Sequence, residues 1–165
     1  MAIVTDALAL PGLRSYSASL DIDSPVEDLF SLLCAVEKWP VWLSCIRSSN
    51  LADPSAPLGL GSEVIVRSTL PGEEEQVYEV DQFISNYHLS LVGAYSVRRR
   101  IDFRIERKTM RAKLHVKLMY PAYGGRMGAM MDSWKNRRKI ERALSDALVH
   151  FKGLVEHHQS TLPYF

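Results

Sequence analysis

Cysteine is scarce in this chain: Cys34 and Cys45 are the two thiols among 165 residues. No Cys or His lies beside them at ligand spacing, so they form no zinc motif and no metal site is expected. Cys34 falls among the apolar residues of an expected helix and reads as a packed thiol. A reduced, cytoplasmic setting is the simplest one for both. Also absent is any run of about 18 uninterrupted apolar residues, the length a bilayer-spanning helix needs. The opening MAIVTDALALPGL has no basic n-region, carries Asp6 and does not read as a secretory signal. Enzyme signatures are missing as well: no G-x-S-x-G, H-E-x-x-H, G-x-G-x-x-G or G-x-x-x-x-G-K occurs. His88, His115, His150, His157 and His158 do not combine into a ligand set, and His157-His158 reads as cations at a helix C-terminus. No cofactor is expected.

What remains is globular. Apolar residues make up 47% and charged residues 24%, which argues against disorder and fits one domain over 1–165, with its core over about 14–158. The net charge of +1 hides an asymmetry. Residues 1–97 hold four basic and thirteen acidic side chains, whereas residues 98–165 hold sixteen basic and six acidic. Either the basic half meets an anionic partner, or the two halves neutralise each other in the fold.

Periodicity sets the element order. Tyr16, Ala18, Leu20 and Ile22 alternate with Ser15, Ser17, Ser19 and Asp21, a strand with one wet face over Arg14 to Ile22. Ser24-Pro25-Val26-Glu27 then reads as a capping box, with Ser24 as cap, ahead of a helix carrying Val26, Leu29, Phe30 and Leu33. A second short helix or turn, broken by Pro40, is expected over Glu37 to Leu43. Strands are expected over Cys45 to Leu51, Ser62 to Leu70, Glu75 to Ile84, Tyr87 to Val92, Val97 to Glu106 and Thr109 to Tyr120. From Met127 to about His158 the period becomes helical. Ile140, Ala143, Leu144, Ala147, Leu148, Phe151, Leu154 and Val155 form one apolar stripe.

That order resembles the SRPBCC superfamily, which includes pollen-allergen-like proteins, START lipid-transfer domains and polyketide cyclases. Local features carry the resemblance: Asp23-Ser24-Pro25-Val26-Glu27-Asp28-Leu29-Phe30 after a strand, Trp39-Pro40-x-Trp42, Gly59-Leu60-Gly61 opening a strand, and a hairpin over Val80 to Leu91. The likeness runs from Arg14 to Glu156. It implies an α+β helix-grip fold, in which a curved antiparallel sheet of about seven strands wraps a long C-terminal helix. Two short helices follow strand 1, and a cavity lies between sheet and long helix.

Several side chains become candidates for that cavity. Trp42, Tyr78, Phe103, Tyr120, Met130 and Ile140 are expected to bound an enclosed pocket of a few hundred Å³. Ser133 and Arg137 fall on the apolar stripe of the long helix, with Asn136 at its edge, and Arg99 shares its strand face with Val97, Ile101 and Phe103. A charge does not sit unpaired in an apolar interior. Arg99 and Arg137 therefore reach solvent at the rim, meet a carboxylate, or meet a polar group of a ligand. On the opposite helix face, Lys135, Arg138, Lys139 and Arg142 form a basic strip beyond Met127, Met130 and Met131. It is either a solvated face or a docking surface for an acidic carrier protein or an anionic membrane, with nucleic acid not expected.

Three functions remain open. The first is binding or transfer of an apolar small molecule, lipid-, quinone- or polyketide-like. The second is a polyketide aromatase/cyclase or dehydratase, in which Arg99, Arg137 or a tyrosine orients or protonates a carbonyl. The third is a protein or nucleic-acid interaction module that uses the basic strip and carries no ligand.

Overall fold

Strand alternation sets the layers. The computed structural model describes residues 2–4, 13–69, 75–109, 111–121 and 128–159, and only the backbone of 2–4, 96–98, 121, 128–137 and 158–159. Its strands are β1 (Ala2–Val4), β2 (Leu13–Ile22), β3 (Ile46–Leu51), β4 (Glu63–Ser68), β5 (Gln76–Ile84), β6 (His88–Gly93), β7 (Ser96–Arg107) and β8 (Ala112–Pro121). Helix α1 (Val26–Cys34), a 3₁₀ turn over Val36–Lys38 and helix α2 (Trp39–Trp42) lie between β2 and β3, and α3 (Gly128–Gln159) follows β8. The fold is the expected α+β helix grip. An eighth strand joins the expected seven, because β1 pairs antiparallel with the edge of β2 (Ile3 opposite Ala18).

All neighbours are antiparallel, in the order β1-β2-β8-β7-β6-β5-β4-β3. The register places Tyr16 opposite Leu118, Leu118 opposite Ile101, and Val116 opposite Phe103. Side chains two apart share a face, so this pairing gathers Leu20, Val64, Val66, Val80, Leu89, Leu91, Phe103, Leu114 and Val116 on one buried concave surface. Lys117, Arg104 and Glu106 on the opposite parity are exposed. Helix α3 lays Ala147, Leu148, Phe151 and Val155 into the concavity, and α1 covers one end with Val26, Leu29, Phe30 and Leu33. Leu154, expected on the stripe, is 38% exposed, because it falls on the flank of the narrower face defined by 147, 148, 151 and 155.

Two local expectations are corrected. Pro25 occupies the N-cap position of α1 with no side-chain cap. Ser24 is buried, and its hydroxyl donates to Asp28 at 3.4 Å instead of capping the helix. Glu27 is drawn away from a capping box by Arg107 on β7. Pro40 breaks nothing: it sits in the first turn of α2, where a missing N–H costs no helical hydrogen bond. In the Gly59-Leu60-Gly61 turn, Gly61 has φ +79°, which a side chain would strain, and its N–H donates to the Val80 carbonyl at 2.8 Å.

The lopsided charge is at least partly absorbed inside the fold. Arg107 meets Glu27, Lys108 meets Asp21 at 3.3 Å, Arg111 meets Asp23, and Arg100 meets Asp81 at 2.6 Å, each joining the basic half to the acidic half.

Candidate ligand-binding cavity

The sheet's curl leaves space between its concave face and α3. A cavity of about 120 Å³, partly open, lies there. Trp42, Tyr78, Phe103, Tyr120 and Ile140 line it, five of the side chains expected to do so, and Arg99 joins them. The side chains of Met130, Ser133 and Arg137 lie outside the described residues. The expected volume of a few hundred Å³ is corrected downward. Trp42 is 2% exposed and stands edge-on to Phe151 at 5.0 Å between ring centres, so bulky side chains occupy space that smaller ones would leave open.

The lining has two ends. Phe103 and Val116 from the sheet and Ala147 and Leu148 from α3 form an apolar floor. The other end is polar, and strand topology produces it. Ser68 closes β4, Gln76 opens β5, Arg99 lies near the start of β7, and Tyr120 lies near the end of β8. Antiparallel pairing brings these strand ends to one margin of the sheet, the margin from which the chain leaves β8 toward α3. Arg14 stands opposite Tyr120 in the adjoining strand. Ser68 and Gln76 escaped the sequence reading although their signal was present: they continue the inward parities of Val64 and Val66 on β4 and of Tyr78 and Val80 on β5.

The two neighbouring tryptophans differ in role. Trp39 Nε1 donates to the Leu33 carbonyl at 2.9 Å and ties α2 to α1. The Trp42 indole N–H is buried without a partner among the described residues, and so is the Tyr16 hydroxyl. Burial raises the Tyr16 pKa, and the charge of Glu141 on α3 adds to the rise. Burial alone pushes the Cys34 thiol up to about 11, as expected for a packed, unreactive cysteine. Cys45 lies on the cavity wall.

The convex face carries the other concentration of polar groups. His88 Nε2 lies 2.8 Å from Asp102, Arg104 donates to the same carboxylate at 3.0 Å, and Arg100 donates to Ser90 at 3.1 Å. Ser, His and Asp thus meet, but not as a hydrolytic triad. Ser90 is fully buried and its oxygen is engaged by Arg100 rather than by the imidazole. Of the basic strip, Arg138, Lys139 and Arg142 are exposed on α3, and Arg138 has a contact within the chain. The Lys135 side chain lies outside the described residues. Among the described residues no His, Cys, Asp and Glu gather as metal ligands, and no helix is long and apolar enough to cross a membrane.

No protein-family model matches the sequence, and no curated protein is similar to it in sequence. Solved structures are similar in fold. The Zhui aromatase/cyclase from Streptomyces sp. R1128 superposes with a TM-score of 0.68 at 13% identity, covering 87% of this chain and 94% of its own. TTHA0849 from Thermus thermophilus gives 0.69 at 12% identity over 86% and 97% of the two chains. Ara h 8.0201 gives 0.54 at 14% identity over 87% and 98%. Identities this low carry fold and not activity. An aromatase/cyclase and Ara h 8.0201 are thus alike in architecture to this chain, whose fold is a helix grip.

Proposed function

We propose that the protein binds or transfers an apolar small molecule held between α3 and the concave face of the sheet. One observation carries this reading. A mainly apolar cavity persists at the centre of the grip, lined by aromatic and aliphatic side chains from β4, β5, β7, β8, α2 and α3. A chain selected only for stability gains by filling such a space, since an empty cavity costs dispersion contacts. An interaction module without ligand leaves the cavity without a role. The test is mass spectrometry of small molecules extracted from the purified protein, paired with Ala143→Phe, which adds a ring at the cavity wall. A co-purified compound in near one-to-one ratio, lost in the folded variant, supports the reading. A compound retained unchanged by that variant refutes it.

A second reading, a polyketide aromatase/cyclase or dehydratase, is favoured by the donors on an otherwise apolar wall. The Arg99 guanidinium and the Tyr78 and Tyr120 hydroxyls can orient or protonate a carbonyl. Cyclised or dehydrated product from a poly-β-ketone substrate, lost in Arg99→Gln, would distinguish catalysis from carriage. In either reading we infer that Arg138 and Arg142, both exposed, meet an acidic carrier protein or an anionic membrane. Reversing both to Glu should slow loading while leaving affinity intact. The effect should fade as salt rises, because exposed charges are screened over about 10 Å at 0.1 M.

A further inference from the structure

The size and polarity of the cavity narrow its ligand beyond the word apolar. Its volume of about 120 Å³ is small. A cavity of about 150 Å³ lined by aliphatic and aromatic side chains accommodates benzene. A long acyl chain or a fused multi-ring skeleton far exceeds that, whereas a single ring fills it, with any polar head at the open margin.

Charge supplies the second constraint. Arg99 is the one charged side chain among the described lining residues, and none of them is acidic. The formal charge of the described lining is therefore positive. Arg99 stands at the polar margin with Gln76 and Tyr120, opposite the floor of Phe103, Val116 and Leu148. A guanidinium has five N–H donors, so the contact Arg99 already makes within the chain leaves donors for a guest. Its fork matches a carboxylate better than it matches a single carbonyl. The apolar end of a guest and its anionic end are thus received by opposite ends of one cavity.

We propose that the ligand is a compact organic anion, a carboxylate on an apolar body of about one ring. Its body rests on the Phe103 and Val116 floor and its head is held by Arg99, with the Tyr120 hydroxyl and Gln76 amide beside it. This rests on the reading that the cavity binds small molecules, and it adds the sign of the charge and the size limit.

The test uses the full-length protein and calorimetric titration with three probes: benzoate, its neutral isostere benzamide, and palmitate. The benzoate should bind at least about tenfold more tightly than the benzamide, the worth of one charge-assisted hydrogen bond. Arg99→Gln should abolish that preference, and Arg99→Lys should restore part of it. Circular dichroism and the melting temperature of each variant separate a lost head-group contact from a lost fold. Equal binding of benzoate and benzamide would overturn the anion while leaving the binding function standing. Tighter binding of palmitate would overturn the size limit. Failure of all three probes to bind would overturn this proposal, while the co-purified compound decides the reading beneath it.

Discussion

β6 buries side chains on both of its faces, by opposite means. On the concave side Leu89, Leu91, Phe103 and Ile105 pack against the core. On the convex side His88 is 8% exposed and Ser90 0%. Their roof is the cross-strand ion pairs themselves, Arg104 on Asp102 and Arg100 on Asp81 with its arm over Ser90. Hydrophobic packing is non-directional and tolerates a vacancy, which is why the concave side can keep a cavity. Charge pairs are directional and are harmed by any unpartnered member. The apolar face has room for a guest; the polar face is committed to itself.

Substitutions on each side break or sharpen that contrast. Phe151→Ala removes a fully buried ring from under Trp42 and should cost about 3–5 kcal/mol in urea denaturation, the largest effect expected. A cost near zero would mean that the inner layer is not packed as described. Cys34, in the helix that closes one end of the concave face, should react with iodoacetamide on the order of 100-fold more slowly than free cysteine near pH 8. Mass spectrometry of a Cys45→Ser variant reads this directly, and equal rates would deny the burial of the thiol.

On the convex side, Asp102→Ala leaves His88 and Arg104 without their acceptor and should destabilise by about 1–3 kcal/mol. A loss matching that of Phe151→Ala would erase the difference between the faces. The smallest change is expected at the exposed Arg107–Glu27 pair. The Arg107 guanidinium, aided by a backbone N–H, holds the Glu27 carboxyl below its usual pKa. A carboxyl depressed in the folded state stabilises above its unfolded pKa, and that contribution disappears as pH falls through the folded value. Arg107→Ala should therefore raise the Glu27 pKa in a carbon-detected NMR titration and slightly flatten the acid limb of stability. An unmoved Glu27 would show that the pair does not form in solution.

Alternation made most of the architecture legible. β2, β7 and β8 each carry a clean two-residue period, and their inward sets, Tyr16 to Ile22, Phe103 to Ile105 and Ala112 to Val116, are buried as the period requires. The C-terminal helix was legible from its stripe. What the chain did not disclose were quantities that depend on three dimensions. The cavity volume follows from how Trp42 meets Phe151 across the grip, and no spacing encodes that contact. Ser24 looked like a cap because Ser, Pro and Glu stood in capping order, but Arg107, far along the chain, claimed the Glu. β1 was missed because three residues are too few to show a period. The burial of His88 and Ser90 was hidden because alternation assigns a face without saying what lies over it.

The pairing of β2 with β8 sets a clock on biosynthesis. Leu13 finds Pro121, and Ile22 finds Ala112, so the second strand has no partner in the central sheet until nearly the whole sheet has been translated. At about 5–20 residues per second, that interval is roughly 5–20 s. Through it, the inward side chains of β2, Tyr16 to Ile22, have no sheet to pack against, while β3 to β7 can zip successively as hairpins between near neighbours. The last strand to emerge thus completes the grip by returning to one of the first. A nascent chain stalled before β8 should be the form that chaperones hold and proteases cut.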